Sequence, residues 1–310
     1  MTTKSPELIS NIPDIRGPNQ NDGSPLLDIK PRIEKIDKLP PMPEMTQKII
    51  RLSADPNASV AALVKVVELD PSLAVQIMRY ASSPFFGYQG KIDSVNTAIA
   101  RVLGFSMVVN LALGVTAAKP FKIPRNVPLG LENFWRHAIF SAALVQALSG
   151  VLNDELRPPV GLAYLSGLLH NFGHLLLGHL FKQEFLILNK HIASEPETPI
   201  IDIEMKVIGT DHGQIGAWLM QAWKLPEEVI IATREHHNAN YNGPHAVYPQ
   251  LVMLADHLLK GQGIGDAHDS KIPASLLDAL ELGEYQVTML TNLVLENNES
   301  LDRMAQQLAS

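Results

Sequence analysis

From residue 44 onward, apolar residues recur every three or four positions, and stretches rich in proline, glycine and small polar residues interrupt them at intervals. Leu39-Pro40-Pro41-Met42-Pro43 is a rigid extended lead-in that excludes helix until Glu44, after which the spacing predicts a helix through Leu52. Asp55-Pro56-Asn57-Ala58 makes a turn. Ser59 then caps a helix carrying Val60, Leu63, Val64, Val66 and Val67, which Asp70-Pro71 interrupts. Ser72 is the expected cap of the next helix, with Leu73, Val75, Ile77 and Met78 as its apolar positions and Pro84-Phe85-Phe86-Gly87 as its stop. Ala98, Ile99, Val102 and Leu103 mark a further helix, Gly104 permits a bend, and Met107 to Ala118 is apolar nearly all round, the pattern of a buried helix.

Three prolines between Pro120 and Pro128 mark a connection to a second half. There the periodicity predicts helices over Asn133–Leu152, Val160–Phe181, Ile203–Ala222, Pro226–His237 and Tyr248–Lys260, with closing helices from Ala274 onward. No segment shows sustained alternation of period two, so the expected fold class is all-α. The first thirty or so residues are rich in Pro, Asn, Gly, Asp and Ser and read as a mobile tail, with order beginning near Ile33. The expected divisions are a tail over 1–30, an amino-terminal helical half over 31–125, a second helical half over 126–262 and closing helices over 263–310. The groove where the halves meet is the natural place for a ligand or partner segment, since pockets favour such junctions.

Composition narrows the chemistry. The chain has no cysteine, which excludes disulfides, thiolate nucleophiles and cysteine-ligated zinc, so any metal must sit on histidine, carboxylate or amide ligands. A net charge of −7 offers no electrostatic footprint for a nucleic-acid backbone. No uncharged run of membrane-spanning length is apparent, and the expectation is a cytoplasmic protein with neither nucleic acid nor membrane as partner.

The second half holds nearly all of the histidines. His137, His170-Asn171, His212, His236-His237 and Asp256 each fall on a predicted helix or at its end, among Ala, Leu, Ile and Val. A single histidine in such a setting is ordinarily a core residue satisfied by backbone. Imidazoles and a carboxylate gathered from several helices are also how helical bundles build metal sites. His174, His179 and His257 lie near these positions in sequence and are expected in supporting or core roles. Trp135, Trp218 and Trp223 read as packing residues.

Taken together, His137, Gly167-Leu168-Leu169-His170-Asn171-Phe172-Gly173, the run from His212 to Pro226, His236-His237 and Leu254-Ala255-Asp256-His257-Leu258 resemble the HD metal-phosphohydrolase superfamily. In the first half, Leu39 to Pro43, Asp70-Pro71-Ser72-Leu73, Ser82 to Gly87 and Lys91-Ile92-Asp93-Ser94 with Leu103-Gly104 resemble HDOD, the HD-related output domain. The resemblance runs from about Ile33 to the carboxyl terminus. It implies a helical subdomain packed on an HD-like bundle, a bacterial regulatory protein, and a residual divalent metal site (iron, manganese or another metal) on His137, His170, His212, His236, His237 and Asp256.

The sequence also departs from that superfamily. The aspartate expected after the central histidine is Asn171, which brings no charge, so a second metal is not expected. His174 stands where active cyclic-dinucleotide enzymes often carry lysine, and their Gly-Tyr-Pro signature is missing after His237. Three readings remain open: a largely non-catalytic signalling scaffold that binds a partner protein or a nucleotide ligand; a metal-dependent phosphodiesterase acting on a nucleotide or cyclic dinucleotide; and a metal site that only staples helices. The tail is expected to carry no output domain of its own, so the protein is expected to act through another polypeptide.

Overall fold

The computed structural model describes residues 25–33, 39–266 and 269–310, and every regular element among them is helical. The amino-terminal part comprises the single turn α1 (Lys30–Ile33), then α2 (Glu44–Ser53), α3 (Val60–Glu68), α4 (Pro71–Ala81), the short α5 (Val95–Thr97) and α6 (Phe105–Ala118). The second part comprises α7 (Leu131–Gly150), α8 (Val160–Leu169), α9 (Phe172–Leu180), α10 (Lys182–Ser194), α11 (Ile200–Ile208), α12 (His212–Ala222), α13 (Glu227–Glu235) and α14 (Val247–Lys260). Helices α15 (Ala274–Leu280), α16 (Glu284–Leu295) and α17 (Asn298–Leu308) close the chain.

The α7–α8 pair is the spine of the fold. One side of α8 takes α6, which in turn carries α2; the other side takes α13, while α14, α16 and α17 lie along α7. Every residue of α6 from Met107 to Ala118 is buried, in keeping with its all-round apolar pattern. Gly104 turns the chain through 120° ahead of α6, in the left-handed region at φ 79° where a side chain would be strained. Among the described residues, Val160–Leu180, taken across the break between α8 and α9, is long and apolar enough to cross a membrane, and 89% of its most apolar window is buried inside the fold; Val95–Leu103 with Phe105–Ala118 reaches that length only across the 120° bend.

The divisions expected at 125–126 and 262–263 fall in connections between helices, and one apolar core crosses both, from Ile29 to Ala309. A cavity between α4, α6 and α7 is roofed by Met304, Gln307 and Leu308 of α17. That helix is pinned by Arg136 to Asp302 at 2.8 Å, by Ser300 to Ser83 at 2.9 Å and by Arg125 to the carbonyls of Ala309 and Ser310.

Four sequence expectations need correction. Residues 1–24 of the expected tail lie outside the described residues, but Pro25 to Ile33 form a strap on the fold. The amides of Leu26, Leu27 and Ile29 donate to the carbonyls of Lys206, Val207 and Ile208, and Ile29 is fully buried. The strap thereby satisfies carbonyls that the end of α11 would leave unpaired. The cap of α4 is Asp70, whose carboxylate accepts from the Leu73 amide at 3.1 Å, because Pro71 takes the first helical position and moves the cap back. The run expected over Val160–Phe181 breaks at His170-Asn171, and that over Ile203–Ala222 breaks at Gly209, where φ is 78°. An apolar run hides such breaks, because the packing that imposes them lies on other helices. Helix α10 was not anticipated; its buried face is Phe185, Ile187, Leu188 and Asn189.

Candidate metal centre

The two breaks build the site. His170 closes α8 and Asn171 opens α9, so α9 turns away to pack against α12, whose first residue is His212. The contact is close enough that a Cβ on Gly173 would lie 1.9 Å from the His212 carbonyl oxygen; only glycine lets the two backbones meet. Asp211 caps α12 by accepting from the Gln214 amide at 2.8 Å, which fixes His212 in the first turn. His137 enters from the middle of α7, His236 and His237 follow the end of α13, and Asp256 lies on α14.

His137, His170, Asn171, His174, His212, His236, His237 and Asp256 converge. His137 Nε2 is 2.8 Å and His170 Nε2 3.8 Å from Asp256 Oδ1. His212 Nε2 and His236 Nε2 are 3.1 Å apart. His170 Nδ1 donates to the Gly167 carbonyl and His236 Nδ1 to that of Thr233, each at 2.8 Å, leaving both Nε2 lone pairs aimed inward. Backbone orientation of the far ring nitrogen is a usual support for a histidine ligand. His179 and His257 lie elsewhere: His179 Nδ1 accepts from the Lys122 amide, and His257 Nδ1 donates to the Asp269 carbonyl. Trp135 and Trp223 are buried and Trp218 is partly buried against the core.

Two carboxylates in the cluster were not singled out from sequence. Glu204 of α11, fully buried, accepts from His174 Nε2 at 2.9 Å and from the backbone amide and Nδ1 of His212 at 3.0 and 2.8 Å. Asp266 follows α14 in the run Gly261-Gln262-Gly263-Ile264-Gly265 and accepts from Asn171 Nδ2 at 2.8 Å. Its Oδ2 lies 3.9 Å from His212 Nε2 and 4.0 Å from His237 Nε2. The signals were a lone glutamate on the apolar face of Ile200, Ile203 and Val207, and a glycine-rich turn ending in aspartate.

The electrostatics follow from burial against these carboxylates. Burial would lower His212, but the Glu204 charge and hydrogen bond overcome it and raise the imidazole to about 9. Burial would raise Glu204, but the His212 charge and the bonds from both histidines hold it at about 2. Around His170 burial prevails and pushes the ring down to about 4, and His236 is driven down by burial and by its histidine neighbours. Asp266 is held well below the usual carboxylate range, against burial, by His137, His237, His212 and His170.

Whether these residues suit a cation is answered by their unmet valence. Among the described residues, His170 Nε2, His237 Nε2, Asn171 Oδ1, Asp256 Oδ2 and Asp266 Oδ1 are buried with no hydrogen-bond partner. Buried polar atoms are rarely left so, and here they converge on one volume. Three donor groups have their ligand atoms all within 4.8 Å of one another: His137, His170 and Asp256; His212, His236, His237 and Asp266; and His174, Glu204 and His212. The third is closed by its own hydrogen bonds, and the first two hold the unpartnered histidine and aspartate atoms. Metal–nitrogen bonds of about 2.1 Å place neighbouring ligands roughly 3–4 Å apart, so these sets fit a divalent cation. A cavity of about 70 Å³ reaches the cluster between Leu129, Asn133 and Phe134, with His137, Asn171 and Asp266 at its floor.

The helical scaffold and its cluster of histidines and carboxylates define a protein of the HD type with a centre suited to a divalent metal. The chain belongs to the HDOD family, whose domain matches residues 39–239. A crystal structure from Marinobacter aquaeolei VT8, of a protein for which a role in signal transduction has been suggested, is 35% identical, with a TM-score of 0.78, covering 98% of this chain and 64% of that one. An HDOD protein of unknown function from Geobacter sulfurreducens shares the fold at 20% identity and a TM-score of 0.71, covering 88% of this chain and 96% of its own. An uncharacterised protein of Treponema pallidum (strain Nichols) is 26% identical over 278 residues, which is 88% of this chain and 52% of the relative. The chain thus spans about half the length of the Treponema relative and under two thirds of the Marinobacter one.

Proposed function

We propose that this protein is a cytoplasmic bacterial regulatory module that binds a divalent cation in its HD-type site and acts through a partner protein rather than by hydrolysing a cyclic dinucleotide. The observation that carries this reading is the enclosure of the cluster. The approach offers about 70 Å³, whereas sites for small organic ligands span about 300–1,000 Å³. Asn171 in place of the expected aspartate points the same way. The roomier cavity nearby, about 170 Å³ between residues 238–242, α14 and α15, has no histidine in its lining. When bound, a divalent metal would supply charge neutralisation and Lewis acidity at the cluster. The chain's own contribution is to hold His137, His170 and Asp256 on one side and His212, His236, His237 and Asp266 on the other in fixed orientation.

The test is elemental analysis of untagged protein and of His170→Ala, paired with assays of cyclic dinucleotide hydrolysis in manganese or iron. Bound metal lost in His170→Ala, without turnover by the parent, is the expected result. Turnover abolished by His170→Ala would instead establish the second reading, a metal-dependent phosphodiesterase. The unpartnered Asp266 Oδ1, on a residue that lines the small cavity, and the unpartnered Asp256 Oδ2 deeper in the cluster favour that alternative.

A further inference from the structure

The departure at Asn171 and the unanticipated carboxylate of Asp266 meet in one hydrogen bond, and the chain around Asp266 is shaped to make it. Gly263 and Gly265 both occupy the left-handed region, at φ 67° and 93°, which folds the segment after α14 back toward α7. Ile264 between them is buried and anchors the turn. Gly265 packs so tightly on the His137 ring that a Cβ there would lie 2.8 Å from Nε2. The result is a carboxylate on a loop, 92% buried at its side chain, set among His137, Asn171, His212 and His237.

Resting on the metal-binding reading above, we propose that Asp266 is a metal-ligating carboxylate that has taken over the charge missing at residue 171, with Asn171 converted from ligand to positioning donor. The amide is fixed by its neighbours. Its nitrogen faces Asp266 Oδ2 at 2.8 Å, which accepts, and His137 Nδ1 at 3.0 Å, which accepts in the neutral tautomer whose Nε2–H donates to Asp256. An aspartate at 171 would set two carboxylates in contact there, whereas the pair Asn171/Asp266 carries a single charge. Asp256 and Asp266 give one negative charge each, from separate places in the sequence, to the two donor groups that hold unpartnered atoms, beside the Glu204 charge that His174 and His212 already pair. The charge that the HD pattern assigns to residue 171 is thus delivered from a loop ten residues beyond Asp256.

The exchange makes a prediction that simple restoration of the HD pattern does not. Mn²⁺ is titrated calorimetrically into chelator-stripped full-length parent, Asp266→Asn, Asn171→Asp and the double variant, and the metal-free melting midpoint of each is recorded. Asp266→Asn weakens Mn²⁺ binding by about 100-fold, the scale on which metal sites respond to loss of a supporting group. Adding Asn171→Asp to it restores binding to within about 10-fold of the parent. Asn171→Asp alone lowers the metal-free melting midpoint, and Asp266→Asn added to it recovers the loss, because like charges are separated again. Equal Mn²⁺ affinity in the parent and Asp266→Asn, or a double variant no better than Asp266→Asn, overturns the assignment while leaving the metal reading in place. A parent that binds no Mn²⁺ overturns both.

Discussion

Replacing Glu204 by glutamine tests the buried charge pair between Glu204 and His212. The amide oxygen can still accept from the backbone and Nδ1 of His212, while the NH2 faces His174 Nε2, which must change tautomer to accept; the negative charge removed lies 2.8 Å from the His212 imidazole. In metal-free protein His212 titrates at about 9 instead of its ordinary 6.5, a difference equivalent to roughly 3 kcal/mol. The lowering of Glu204 to about 2 is the same interaction seen from the other partner and is not added. Because the folded value of His212 is raised, its contribution is complete below pH 6.5 and is lost as pH rises through 9. Urea unfolding of chelator-stripped parent and Glu204→Gln at intervals from pH 6 to 9.5 measures this. The variant is expected to be less stable by about 2–3 kcal/mol at pH 6.5, a fall in melting midpoint on the order of 5 °C, with the two curves converging toward pH 9. A constant difference between the curves across that range would refute the electrostatic account and leave only lost packing.

The opposite pH sign is expected at His170, which the fold keeps neutral with a value of about 4. Metal-free protein loses up to roughly 3 kcal/mol as pH falls from 6.5 to 4, and His170→Asn flattens that limb of the urea-unfolding profile. Gly173→Ala drives a methyl group into the His212 carbonyl, so α9 and α12 must part; a destabilisation of about 3 kcal/mol or more, accompanied by loss of bound metal, is read from melting and elemental analysis. Between α2 and α6, the hydroxyls of Thr46 and Thr116 meet at 2.8 Å, and that of Thr116 donates to the Ala112 carbonyl. Thr116→Val strands a buried hydroxyl and costs about 1–3 kcal/mol, Thr46→Val costs about 1, and the double variant costs less than their sum in a double-mutant cycle by chemical denaturation.

The helical class and most helices were legible because apolar spacing directly records which face of a helix is covered. Met107 to Ala118 is the clearest instance, since a segment apolar all round leaves no face for water. The histidines converge because helix-borne side chains on apolar faces have only the core to enter. The breaks at His170 and Gly209 were not legible: both interrupt patterns that read as continuous, and the first is imposed by the meeting of Gly173 with the His212 backbone on a distant helix. Asp266 was missed for a different reason. A glycine-rich turn ending in aspartate reads as a solvent-facing loop, and nothing local reveals that Gly265 presses on His137 and turns the carboxylate inward. Glu204 shows the same blindness in a helix, where a charge on an apolar stripe is a blemish until its two histidine donors are in view.

The strap from Pro25 to Ile33 lies outside the HDOD domain match yet belongs to the unit of folding. The stretch matched to the HDOD domain, 39–239, contains every histidine of the cluster, yet it ends before Asp256 and Asp266 and begins after the strap that finishes α11, the helix presenting Glu204. A fragment trimmed to those limits would keep the imidazoles, discard two of the three cluster carboxylates, and leave the third on a helix with a frayed end. In this chain the recognisable motif supplies the ligand nitrogens, while most of the charge that would make them a site is contributed from beyond the motif's border.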